Sequence, residues 1–215
     1  MTPRRWLIAA SALLALLAAG LLAAAGSGDG SGEAPGAAAA PAVPADGSAD
    51  AGFARDMAVH HQQAVEMAFL VRDRTEDEEI RLLAYDIIAT QSNQRGMLLG
   101  WLDLWNLPVA SGTPMAWMAG EDHGHGADAP EGGAPAMPGM ATDAQLDGLR
   151  GATGRDAERR FLRLMTAHHR GGVDMARAAA RLAGTEEVRR LAQGMADSQE
   201  AEISLMNALL AERGA

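Results

Sequence analysis

The chain has 215 residues, 48% of them hydrophobic but only 4% aromatic, and carries 28 Asp and Glu against 18 basic residues for a formal charge of −10. Every basic residue is Arg and none lies in a dense run, so nucleic-acid binding through a clustered cationic face is excluded. There is no cysteine, which removes disulfides, thiolate zinc sites, iron–sulfur clusters and cysteine nucleophiles. Ala, Leu, Met and Arg favour helix over sheet, and any site chemistry must come from His, Met and carboxylates.

Arg4 and Arg5 precede an uncharged apolar run from Trp6 to Ala25. A secretory core has about 7–15 apolar residues and a spanning helix about 20. Residues 1–25 therefore read as a signal peptide or an N-terminal membrane anchor; Ala23 and Ala25 before Gly26 fit a cleavage pattern as well. Either reading puts the rest of the chain outside the cytoplasm, secreted or anchored, with membrane contact through this segment only. Residues 26–50 are Gly, Ala, Pro, Ser and Asp, a composition that buries no core and predicts a disordered tether.

Beyond the tether the chain repeats itself. At an offset of 108, Phe53–Leu102 aligns with Phe161–Leu210 without a gap, and fifteen of fifty positions are identical. They include Met57/Met165, His60/His168, His61/His169, Met67/Met175 and Gln91/Gln199. Each copy predicts a helical hairpin. The first helix spans about Asp50 to Arg74, and Thr75 with Glu78 predicts a capping box for the second, which reaches about Asn106. In the second copy Gly184 suits a helix end, and Thr185 is the expected cap of a helix to about Ala211. Ile80, Leu83, Ala84 and Ile87, like Val188, Leu191, Ala192 and Met195, recur at helical spacing. One hairpin cannot bury its own apolar stripe, whereas two form a four-helix bundle over residues 51–213. Repeat one spans 51–106 and repeat two 142–213. Residues 107–141, rich in Pro, Gly, Ala, Met and acids, predict a flexible linker; Thr142 with Gln145 predicts a capping box and a short helix near Asp143–Leu149.

All six histidines lie in close pairs: His60–His61, His123 with His125, and His168–His169. At 100° per residue, Phe53, Met57, His60, His61, Ala64, Met67 and Ala68 share one helical stripe, and the repeat supplies Phe161, Met165, His168, His169, Gly172, Met175 and Ala176. Glu66 projects to the other side as a solvated charge. Pseudo-two-fold packing of the repeats is expected to place His60 and His168 nearer to each other than to the linker. Imidazole is a borderline ligand and thioether a soft one, a mixture that suits copper and suits Mg, Ca, Mn or zinc poorly. Core Met usually fills gaps, and a single inward His is more often hydrogen-bonded than ligated; four imidazoles in one core are costly without partners. The linker adds Met115, Met118, His123, His125, Met137 and Met140, side chains with no core to fill if the segment is flexible. With an ordinary histidine pKa near 6.5, copper affinity of the pairs is expected to fall between about pH 7 and 5.

The strings FARDMAVHHQQAVEMA and FLRLMTAHHRGGVDMA, with MPGMATDAQLDGL ahead of the second, resemble the domain of unknown function 305 family over about residues 50–212. The resemblance implies a ferritin-like four-helix bundle exported by bacteria, with some members linked to copper. Carried over by position, the candidate ligands are Met57, His60, His61, Met67, Met165, His168, His169 and Met175. Gln94 stands where the second copy has Glu202, which breaks the symmetry of that acid. The expected function is extracytoplasmic copper binding, as Cu(I) or Cu(II), in homeostasis or tolerance. The alternatives are a structural or interaction bundle without metal and, less compatible, a di-iron oxidoreductase. The latter needs Glu-x-x-His motifs, and none occurs. No nucleophile elbow or phosphate loop is present, so the chain is not expected to be an enzyme.

Overall fold

The computed structural model describes residues 43–119 and 137–214. Five α-helices follow in order: α1 (Ala49–Arg72), α2 (Glu78–Leu104), α3 (Asp143–Gly151), α4 (Gly154–Leu182) and α5 (Glu186–Glu212), with a 3-10 turn at Ala116–Met118 between α2 and α3. The described residues contain no strand. α1 pairs with α2 and α4 with α5 as the two hairpins of the repeat, and α1 packs on α4 at the centre. The predicted all-α bundle of two repeated hairpins is the architecture observed.

Two apolar clusters fill the interior. One joins the C-terminal half of α1 and the start of α2 to α3, the start of α4 and the end of α5, around Met67, Ile80, Ile87, Phe161, Leu162 and Met206. The other joins the start of α1 and the end of α2 to the end of α4 and the start of α5, around Phe53, Met57, Leu98, Leu102, Met175 and Met195. Their composition makes α1 and α4 antiparallel, so each helix contributes one half to each cluster.

The helix ends depart from expectation in instructive ways. Asp77, not Thr75, caps α2, its carboxylate accepting from the Glu79 and Ile80 amides. Thr75 is instead buried: its hydroxyl accepts from the Asp77 amide and donates to Glu158. Thr185 makes no side-chain cap for α5. Asp50 of α1 instead secures the turn that leads into α5, accepting from the Gly184 and Thr185 amides and from the Thr185 hydroxyl, so one carboxylate fastens the two hairpins together. The Thr142–Gln145 capping box of α3 forms as predicted.

The described parts of the linker are not loose. Trp117 sits edge-on to Phe53 at 5.8 Å, and its indole N–H donates to Asp56, which also accepts from the Met115 amide. A methyl group at Gly52 would lie 2.4 Å from the Trp117 ring, so this glycine opens the seat for the turn. Residues 137–141 lie across α1 and α4, with Gln63 exchanging two hydrogen bonds with the Ala141 backbone. Among the described residues no helix is long and apolar enough to cross a membrane; the expected signal or anchor at 1–25 and most of the tether at 26–50 lie outside the described residues.

Candidate metal centre

The stripe on α1 and its repeat on α4 face each other where the antiparallel helices cross. His60 and His168 meet there with ring centroids 3.7 Å apart and planes inclined by 33°. His60, His61, His168 and His169 are all fully buried. They form a polar layer between the two apolar clusters. Gln91 and Gln199, identical in the repeat, are buried as well, and neither amide finds a protein partner. Gln199 reaches into the space left by the missing side chain of Gly172, where a Cβ would lie 2.3 Å from its Oε1.

Hydrogen bonds on the outer side of the layer fix the imidazoles. His60 Nε2 lies 3.0 Å from the Pro138 carbonyl, which can only accept, so Nε2 carries the proton and donates. His61 Nε2 donates to Gln94 Oε1 at 2.9 Å, and His169 Nε2 to Glu202 Oε2 at 2.6 Å. In the neutral form of each ring Nδ1 then holds a lone pair, and none of the three Nδ1 atoms has a protein partner. Neither nitrogen of His168 makes a well-formed hydrogen bond, although the His60 backbone lies near enough to favour its proton. A ring N–H anchored by a carbonyl, amide or carboxylate, with the other nitrogen free, is how ligating histidines are commonly oriented.

Burial disfavours charge on three of these rings. Burial pushes His60 down to about 4 and His61 to about 3, each further depressed by neighbouring histidines, and burial holds His168 well below its ordinary value. The anchoring bonds from Pro138 and Gln94 oppose the shift but do not cancel it. Loss of metal affinity between pH 7 and 5 is therefore not what these three rings imply. They are already neutral there, and proton competition in the folded protein begins lower.

The donors fit a soft ion in kind, and their arrangement restricts how one would be held. Met57 and Met175 lie in one apolar cluster and Met67 and Met165 in the other, all fully buried, so thioethers flank the histidine layer on both sides. Among the described residues no three His, Asp or Glu side chains converge as a ready ligand set. A bound ion would thus draw on thioethers or on rotation of the imidazoles. Of the linker candidates, Met118 is buried beside Met57, and Met115 packs on the same cluster, so packing accounts for both. Met137 and Met140 are half-buried next to the segment that holds His60. His123 and His125 lie outside the described residues.

Sequence reasoning did not find four parts of this site. The Pro138 carbonyl carries no side-chain signal. Gln91 and Gln199 were visible only as repeat identities. Gln94 and Glu202, each 33 residues after the histidine it anchors, aligned in the repeat, but their difference in charge masked a shared position. Met195 and Met206 complete the buried thioethers and read only as apolar.

The family profile described as "Domain of unknown function (DUF305)" matches residues 50–210. Among solved structures, a DUF305 protein from Streptomyces coelicolor, named for its expected secretion, is 56% identical with a TM-score of 0.71, covering 80% of this chain and 97% of its own. A DUF305 fragment from Deinococcus radiodurans is 29% identical, with a TM-score of 0.62 and coverage of 76% and 96%. CopM in its Cu(I)-bound form is 26% identical, with a TM-score of 0.57 and the same coverage. No curated protein matches the chain. The chain belongs to the DUF305 family.

Proposed function

We propose that this protein binds copper outside the cytoplasm, storing or passing on the ion rather than catalysing a reaction. The observation that carries this reading is the buried layer of four histidines, three with Nε2 anchored and every Nδ1 unpartnered. Leaving polar atoms unpaired in a core costs about 1–3 kcal/mol each, a cost that structure alone gives no reason to keep. Neutral imidazoles beside buried thioethers suit Cu(I), whose softness accepts both, and thioethers persist in an oxidising compartment better than thiols do. CopM, solved with Cu(I) and with Cu(II), supports the choice of metal. The apolar run before the bundle supports export.

The test is a competitive Cu(I) titration of the purified full chain and of a variant with His60, His61, His168 and His169 all replaced by Gln. The parent should take up copper tightly and the variant should lose most of that uptake while keeping its helicity. Equal uptake by a folded variant would refute the proposal and favour a structural bundle.

A further inference from the structure

The histidine layer is closed on most sides, and the exception marks a route. The two apolar clusters seal it along the bundle axis. The α1–α4 face is covered by residues 137–141: Pro138 caps His60, and Gly139, at φ +76°, lies against the Ala167 carbonyl and the His168 backbone. A Cβ at Gly171 would come 2.0 Å from the Pro138 oxygen, so nothing passes there. α1–α2 and α4–α5 are tight hairpins. Between α2 and α5 lies a groove of about 430 Å³, lined by Gln94, Met97 and Trp101 from one helix and Leu191, Gly194 and Ser198 from the other, with Glu187 and Arg190 also on its wall.

Two of these residues connect solvent to the interior. Gln94 lines the groove and also holds the Nε2 of fully buried His61. Met97, one turn along α2, is an exposed side chain at the same groove, and it belongs to neither apolar cluster. Gly194 leaves the opposite wall open, with nothing within 4 Å of where its Cβ would be.

We infer that the α2–α5 groove is the port through which a soft monovalent cation reaches the histidine layer, with Met97 as outer ligand and Gln94 as the side chain that swings aside to admit it. This rests on the metal-binding reading above. A thioether offers a soft ion a weak, exchangeable partner without trapping it, and release of the Gln94 amide frees the His61 ring to turn.

The test compares rates with equilibria, using Cu(I) supplied from a weak chelator to the full chain. Gly194→Leu fills the groove and replaces a helix-interior glycine, so it should not cost stability. It is expected to slow copper uptake by about tenfold or more while leaving equilibrium affinity within about twofold. Met97→Leu, close in volume, should slow uptake by a smaller factor. Gly100→Leu, equally open but outside the groove, should change neither. In the metal-free protein, solvent exchange of the His61 Nε2 proton, followed by NMR, should slow in Gly194→Leu. Should that variant not fold, Leu191→Trp narrows the same groove. Uptake and proton exchange at the parent's rates in a folded, groove-filled variant would overturn the port and leave copper binding standing. A parent that binds no copper would instead overturn the metal-binding reading itself.

Discussion

Replacing His168 with Leu is expected to stabilise the metal-free protein, against the usual sign for a core substitution. His168 is fully buried, and neither of its ring nitrogens makes a well-formed hydrogen bond, with the His60 backbone lying nearby. Leu has a similar volume, so little cavity or overpacking results, and it prefers helix slightly more than His does. Removing the unsatisfied nitrogens should raise unfolding free energy by about 1–3 kcal/mol. The assay is urea denaturation of metal-free full chain and variant at pH 8, where the buried rings are neutral. An increased midpoint at unchanged slope gives the difference directly. The same variant should lose most of the copper-induced rise in melting temperature, since binding to the folded state is what produces that rise. Destabilisation by more than about 1 kcal/mol would show that His168 is held by interactions the core depends on, and would refute the argument that the layer is kept for a ligand.

Three further outcomes follow from the geometry. His60, His61 and His168 have folded pKa values depressed below the unfolded 6.5, so the unfolded chain takes up protons first as pH falls; stability should be greatest above about pH 7 and decline by about 1–2 kcal/mol per histidine between pH 8 and 5, measured as urea midpoints across that range. Gly171→Ala would drive a methyl group into the Pro138 carbonyl, so it should cost about 1–3 kcal/mol and release the His60 Nε2 proton to faster solvent exchange, seen by NMR. Met118→Ala should cost about 2–5 kcal/mol in thermal or urea unfolding, because Met118 is a core side chain; a cost near zero would return it to the role of a free linker ligand.

Most of the bundle was legible because helical periodicity and an internal repeat are local signals. Phe53, Met57, His60, His61, Ala64, Met67 and Ala68 were placed on one stripe by angle alone, and all seven are fully buried. The repeat added the long-range step, since two copies of an apolar stripe cover each other, and that step brought His60 and His168 together; the expectation did not allow for the linker, whose Pro138 also touches His60. What stayed hidden depends on tertiary partners. Asp50, which holds the turn before α5, reaches across 134 residues to Gly184, and no local pattern encodes it. In the described part of the linker, Trp117 finds a seat created by the absence of a side chain at Gly52, which a composition of Gly, Pro and Ala does not signal. Burial likewise moves the expected proton competition to lower pH. A pKa near 6.5 holds for an exposed ring, and only the packed core shows that these rings have lost water.

The most direct test of the central claim is X-ray absorption at the copper edge on full-length protein loaded with Cu(I). The account predicts a first shell of imidazole nitrogen together with thioether sulfur, with the nitrogen contribution lost in the His60, His61, His168 and His169 variant. A shell of oxygen and nitrogen without sulfur, unchanged by those replacements, would place copper on the surface and contradict the account.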